Sequence, residues 1–251
     1  VPDECIASIF GVMAASPQHT FQVLTKRPER MLAWFGQQDA QVDGIVKVYA
    51  EKGMPQRPRS HWYACQTMGA AEDRLKVDLV QQEDFEDIPI SWPLPNVWLG
   101  VSVEDQATAD ERIPLLLQTP AAVRWVSYEP ALGPVDFRDA THCPEHDFHS
   151  GFCVGACPSR RGLDWIVVGG ESGPGARPFD LAWARQTIAQ GRAAGVPVFC
   201  KQLGSNPMGW LTPGTPLPAT TLPIKFRDRK GGGPAEWPAD LRVRDYPGAT
   251  R

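Results

Sequence analysis

Five short apolar runs recur along the chain: Phe21–Leu24, Val97–Val101, Val123–Val126, Trp165–Val168 and Val196–Phe199. Each is too short for a helix and draws on valine and aromatic residues, so each predicts a buried strand. Helical spacing lies between them. The opening VPDECIASIFGVMAASP sets Cys5, Ile6, Ile9, Phe10 and Met13 near a 3.6-residue period. A second helix is predicted from Pro28 in PERMLAWFG, where proline suits the first turn. A third is predicted from about Asp105 to Leu117, with Pro114 as a kink or restart. A fourth covers DLAWARQTIAQGRAAG, capped by Asp180 and ended by Gly195. Strand and helix in alternation predict parallel pairing, and hence an α/β fold of the partial (β/α) TIM-like barrel type.

Two segments break this rhythm. Residues 37–95 are too long for one helix-to-strand connection and read as an inserted subdomain, basic and aromatic in RPRSHWYAC and acidic in QQEDFEDIP. Residues 137–162 read as a second insertion. After about Leu203 the chain turns rich in proline and glycine, and residues 204–251 are expected to form a strap that packs Trp237 on the body. The whole of residues 1–251 is expected to be one barrel domain. The first residues already lie in a helical pattern, so the barrel's first strand is expected to precede Val1.

The composition narrows the classes of function. A hydrophobic share of 42% supports one sizeable core, and a formal charge of −4 does not mark a nucleic-acid coat or a membrane-surface protein. No apolar run reaches membrane-span length and no export signal opens the chain, which predicts a cytoplasmic protein.

Candidate chemistry gathers after the predicted strands. They end in Thr25-Lys26-Arg27, in Ser102-Val103-Glu104-Asp105, in Ser127-Tyr128-Glu129, in Gly169-Gly170-Glu171-Ser172-Gly173 and in Lys201-Gln202. In a parallel β/α barrel all these ends share one face, where active sites are built. Polar residues at these ends also serve as helix caps, but five charged ends in succession favour a functional face. The run Gly169 to Gly175 lets backbone approach a ligand, and it has neither the P-loop spacing nor that of a dinucleotide fingerprint. Glu171 is expected to lie near Lys201 and to accept from an amine or a ribose hydroxyl.

The six cysteines are unevenly spread. Cys143, His146, His149, Cys153 and Cys157 pack five borderline-soft ligands into 15 residues, which points to a structural zinc in the second insertion. An exposed loop that binds no metal accounts for the same density. The tail from Lys225 to Arg251 mixes cations with Trp237 and Tyr246; it reads as a solvated strap or as a contact for phosphates.

The blocks FQVLTKRPERM, VWLGVSVEDQATADERIPLLLQTPAAVRWVSYEPALGPVD, LDWIVVGGESGPGARPFD and VPVFCKQLG, with the tail RDRKGGGPAEWPADLRVRDYP, resemble a widespread family of phage and bacterial radical-SAM-like proteins. The resemblance implies a six-stranded partial barrel, an S-adenosylmethionine cofactor and a 4Fe-4S cluster. The family's three-cysteine motif has no counterpart here: Cys153 and Cys157 have the first spacing, but Arg160 stands where the third cysteine belongs. By resemblance, Thr25, Lys26, Arg27, Ser102, Ser127, Gly169, Gly170, Glu171 and Ser172 would face the cofactor. Glu104, Glu129 and Lys201 would serve the reaction. Two functions follow as expectations: a cofactor-dependent enzyme, acting on a nucleotide, a nucleic acid or another substrate, or a non-catalytic barrel that binds nucleic acid or a partner protein. A conventional barrel enzyme with Glu129 and Glu171 as acid and base is a third.

Overall fold

A computed structural model describes residues 1–55, 57–76, 79, 91–141, 162–209 and 224–248. Among these the chain forms α1 (Asp3–Ala14), β1 (Phe21–Thr25), α2 (Pro28–Glu51), α3 (Arg59–Leu75), β2 (Val97–Val103), α4 (Gln106–Gln118) and β3 (Val123–Tyr128). There follow α5 (Arg138–Thr141), β4 (Trp165–Gly169), β5 (Phe179–Asp180), α6 (Leu181–Ala194), β6 (Val198–Gln202) and β7 (Pro207–Met208). The five predicted strands are β1, β2, β3, β4 and β6, and they lie side by side in chain order in one open, mostly parallel sheet. The fold is therefore α/β. Parallel register is direct at the centre, where Val126 faces Ile166 and Val168 faces Cys200. No helix among the described residues is long and apolar enough to cross a membrane.

The chain divides into two compact units, and the division runs through β1 and β2. The first unit holds Val1–Val23, Arg27–Leu99 and Gln118–Ala122. Here α1 packs on α3 at a distance that only glycine permits, since a Cβ on Gly11 would stand 2.2 Å from the Thr67 carbonyl oxygen. Ser8 Oγ donates to the Ala70 carbonyl at 2.9 Å across the same seam. An aromatic cluster fills the interior: Phe10 stacks on Trp34 at 4.9 Å and Tyr63 on Trp92 at 4.6 Å. Helix α2 runs far past Gly36, where the sequence reading stopped. Val42, Ile45, Val46 and Tyr49 carry its apolar face onward at helical spacing and pack with Trp62 and Tyr63. The expected insertion at 37–95 thus contributes the second half of α2 and all of α3.

The second unit holds Leu24–Lys26, Gly100–Leu117 and Val123–Arg251. Strands β2 and β4 are buried on nearly every residue, as a sheet covered on both faces requires. Gly100 makes room for the Trp125 indole, which a Cβ would meet at 2.4 Å. Helix α4 keeps Pro114 in its interior, and Asp105 caps it by accepting from Thr108 N at 2.9 Å. Helix α6 starts at Asp180, whose side chain accepts from Ala182 N at 2.8 Å, and stops at Gly195 with φ 66°. Both ends match the sequence reading.

The last predicted strand begins two residues later than expected. Val196 N closes the end of α6 by donating to Gly191 O at 2.8 Å, and polar Lys201 and Gln202 are the last two residues of the strand. The C-terminal segment pairs with β6 on its outer edge. Cys200 N donates to Val243 O and Asp245 N to Val198 O, with an antiparallel bridge between Phe199 and Arg244. This pairing covers an edge strand that would otherwise expose a row of unsatisfied backbone groups. Trp237 is buried, with its indole N–H donating to Gly231 O at 2.9 Å, so the strap does pack its tryptophan on the body.

Candidate functional site at the strand ends

In the second unit the residues that follow the strands come together. Lys26, just after β1, reaches Glu104, just after β2, at 2.5 Å. The other oxygen of Glu104 accepts from Arg112 of α4 at 2.9 Å, and the same guanidinium nitrogen donates to Ser102 O at 2.9 Å. Glu104 and Arg112 are both largely buried, at 12% and 15% side-chain exposure, whereas Lys26 is 62% exposed. The segment after β3 ties neighbouring strand ends together: Ala131 N donates to Gly169 O, and Leu132 N to Glu104 O.

Glu129 follows β3 and is also mostly shielded, at 13% side-chain exposure. Its carboxylate reaches past the end of β4 to two residues of β6. Lys201 Nζ stands 2.8 Å from Oε2, and Gln202 Nε2 donates to Oε1 at 2.6 Å. Gly169 lies beneath this reach, and a Cβ there would press on Glu129 Oε1 and Gln202 O at 3.2 Å each. The first glycine of the Gly-rich run therefore serves a contact inside the protein.

Glu171 has a different environment from the one expected. Its partner is Arg177, not Lys201. The Arg177 Nε and Nη2 atoms donate to the two carboxylate oxygens at 2.9 and 2.8 Å, and the Arg177 backbone N–H adds a third bond at 2.8 Å. These bonds hold the Glu171 carboxyl at about 2, well below its ordinary range. The correction has a plain cause. Residues 171–177 fold back on themselves through Gly173 and Gly175, both at positive φ, and bring Arg177 to the carboxylate before any distant cation can reach it.

Gly170 also serves a contact inside the protein. A Cβ on Gly170 would stand 2.7 Å from Leu203 O, one on Gly204 would stand 2.6 Å from Glu171 O, and one on Gly231 would stand 2.5 Å from Gly204 O. Three glycines from three distant segments thus stack backbone on backbone. Ser205 locks the stack: its N–H donates to Glu171 O, its hydroxyl accepts from Gly173 N at 2.9 Å and donates to Arg229 O at 2.6 Å.

The other expected residues divide as follows. Ser102 and Ser127 are buried within β2 and β3, Thr25 ends β1, and Ser172 is exposed in the Glu171 loop. Arg27 belongs to the first unit, at the start of α2. Cys143, His146, His149, Cys153 and Cys157 lie outside the described residues, and among the described residues no group of three or more His, Cys, Asp or Glu side chains could hold a metal. Cys200 is a free, buried thiol whose pKa burial pushes up to about 12, so it is not a nucleophile at neutral pH.

Sequence reading missed Arg112 and Arg177. Both sit at helical or loop positions whose spacing carries no mark of what they face. Only the charge sign, opposite to the three glutamates, offered a signal.

Chemically, the rim alternates fixed carboxylates with cations of two kinds. Arg112 is buried and permanent. Lys26 and Lys201 are exposed, at 62% and 55%, while the carboxylates they meet are largely shielded. An incoming ammonium group can take the place of either lysine because it leaves the shielded carboxylate paired, and the released lysine is then free to receive a carboxylate. The arrangement suits a zwitterionic ligand.

Comparison with curated proteins found no match, and neither did comparison with solved structures. Residues 1–222 match the family described as protein of unknown function DUF5131, and with most of its length inside that match the chain belongs to this family.

Proposed function

We propose that the protein binds S-adenosylmethionine at the strand-end rim of a radical-SAM-like partial barrel, as an enzyme that positions this cofactor against a further substrate. The observation that carries the proposal is Glu129, shielded from solvent yet paired with the displaceable Lys201 and oriented by Gln202. The continuous strand order β1-β2-β3-β4-β6 supports the barrel reading, because a doubly wound sheet reverses direction at a switch point and this one does not. Ligands of parallel α/β folds bind beyond the carboxyl ends of the strands, where this rim lies.

On this reading Glu129 receives the ammonium of the ligand's amino-acid portion, and Lys201 its carboxylate. Lys26 and Glu104 form a second pair of the same kind. The Glu171 loop contributes through its shape, since Arg177 already occupies its carboxylate. When bound, the cofactor supplies the transfer chemistry, and the chain's part is to hold and orient it. The ligand set for a 4Fe-4S cluster does not fit this chain: the sequence lacks the three-cysteine motif, and the described residues offer no metal-binding group. No step is assigned through a cluster.

Calorimetric titration with S-adenosylmethionine tests the proposal. The wild-type chain should bind, and Glu129→Gln should weaken binding by about tenfold or more, the loss expected for a charge-assisted hydrogen bond of about 1.5–3 kcal/mol. A wild-type chain that takes up no S-adenosylmethionine, or a Glu129→Gln variant of unchanged affinity, would sink it.

A further inference from the structure

Four cations beside the rim, Lys225, Arg227, Arg229 and Lys230, are all exposed and have no ion-pair partner among the described residues. Every cation of the rim itself behaves otherwise: Lys26, Arg112, Arg177 and Lys201 each hold a carboxylate.

The loop that carries the four cations is rigidly built. Asp228 accepts from Lys230 N at 3.0 Å and from Gly232 N at 2.9 Å, and Glu236 accepts from Arg227 N at 2.6 Å. The two acids of the segment are thus occupied in shaping its backbone. The loop is also fastened to the site. Leu203 N donates to Gly231 O at 2.9 Å, and Ser205 Oγ joins Arg229 O to the Glu171 loop through Gly173 N. One serine therefore connects the cationic loop to the strand end that carries Glu171.

We infer that residues 225–230 form a phosphate-contacting surface that seats a nucleic-acid strand with one of its nucleotides at the rim. This inference rests on the rim's being a ligand site, and it specifies the substrate class of that site. Unpaired cations on a fixed platform release counterions when they meet a chain of phosphates, which makes such binding favourable and salt-dependent. Arginine adds bidentate geometry toward phosphate oxygens. A membrane surface fits less well, because binding there also needs apolar side chains to insert beside the charge. Among the described residues of the second unit the exposed large hydrophobic ones are Leu24 and Tyr246, and neither lies in this loop.

Fluorescence anisotropy with short single-stranded DNA and RNA of one sequence tests the inference. The full chain is compared with a variant carrying Lys225→Gln, Arg227→Gln, Arg229→Gln and Lys230→Gln, with circular dichroism to confirm that both are folded. The variant should bind at least tenfold more weakly at low salt. Its plot of log affinity against log salt should be shallower by about 2–3, since each phosphate contact on a single strand contributes about 0.7. The DNA and RNA arms show which backbone is preferred. Three results would overturn the inference: a wild-type chain that binds neither strand, equal affinity and salt slope in the two proteins, or wild-type binding displaced as readily by polyglutamate or by phosphatidylserine vesicles as by unlabelled oligonucleotide. Titration of both proteins with S-adenosylmethionine separates this outcome from that of the rim itself. The four-residue variant should keep its cofactor affinity while its oligonucleotide affinity falls.

Discussion

Glu129 and Glu171 follow neighbouring strands of one sheet, and in each both carboxylate oxygens are engaged, but the partners come from very different distances along the chain. Glu171 is held by Arg177, six residues on, within a single loop. Glu129 is held by Lys201 and Gln202, more than seventy residues on and from a strand two places away in the sheet. The first pair is a local clamp that shapes a glycine-rich turn. The second spans the ends of three strands, and it depends on their register and on the missing Cβ of Gly169. A carboxylate clamped bidentately by its own loop has little freedom to meet a ligand. One held by an exposed lysine and a neutral amide can exchange that lysine for a ligand's ammonium and stay paired. Two glutamates that look equivalent as strand-end residues therefore differ in what they can do.

The strongest way to break this comparison is to disturb the glycine stack on which the Glu171 loop rests. Gly204→Ala places a Cβ at positive φ and 2.6 Å from Glu171 O. Overpacking of about 1–3 kcal/mol and a left-handed backbone cost of about 1–2 kcal/mol should lower stability by about 2–5 kcal/mol. Urea unfolding of the variant would measure this. A loss under about 0.5 kcal/mol, the range of an ordinary surface change, would show that the loops are not stacked as described.

A smaller effect is expected from Gly169→Ala, which crowds Glu129 Oε1 and Gln202 O without positive φ. A loss of about 1 kcal/mol, seen as a drop of about 2–4 °C in Tm, would place Glu129 where the structure has it. Adding Glu129→Ala should remove part of that penalty, because one of the two crowded atoms is then gone. Equal penalties in both backgrounds would show that the two residues do not touch.

The smallest effect belongs to Glu171→Gln. Arg177 lowers the folded-state pKa of Glu171 to about 2 from an ordinary 4.5. A depressed carboxyl pKa contributes stability that is fully present above the ordinary value and is lost as pH falls through the folded one. The Tm gap between wild type and variant should therefore be modest, constant above pH of about 5, and closed near pH 2. The pair is exposed, so screening keeps the gap small and added salt should narrow it. A gap that widens toward acid pH would contradict the assignment.

Much of the secondary structure was legible before any tertiary information. The five strands announce themselves through short Val- and aromatic-rich runs, and two inner ones, β2 and β4, are buried on both faces, where little else is admitted. Asp180 and Gly195 mark the ends of α6 because capping is a local interaction within a few residues. That polar residues would collect at one rim follows from parallel strands in chain order. The full length of α2 was legible too, in the spacing of Val42, Ile45, Val46 and Tyr49, but the polar stretch around Gln37–Asp39 hid it.

The partners at the rim were decided only by the tertiary structure. Whether Lys201 meets Glu129 or Glu171 depends on the register of β3, β4 and β6 and on side-chain reach, and neither leaves a trace in local sequence. The same holds for Gly170, Gly204 and Gly231. Read along the chain they are three separate glycine-containing turns with conformational freedom to spare. Folded, they are a single contact in which one backbone lies on another too closely for any Cβ. Sequence determines which residues can adopt a conformation, because that is a property of each residue and its neighbours. Which of them are needed, and by what, is a property of atoms brought within a few ångströms by the rest of the fold.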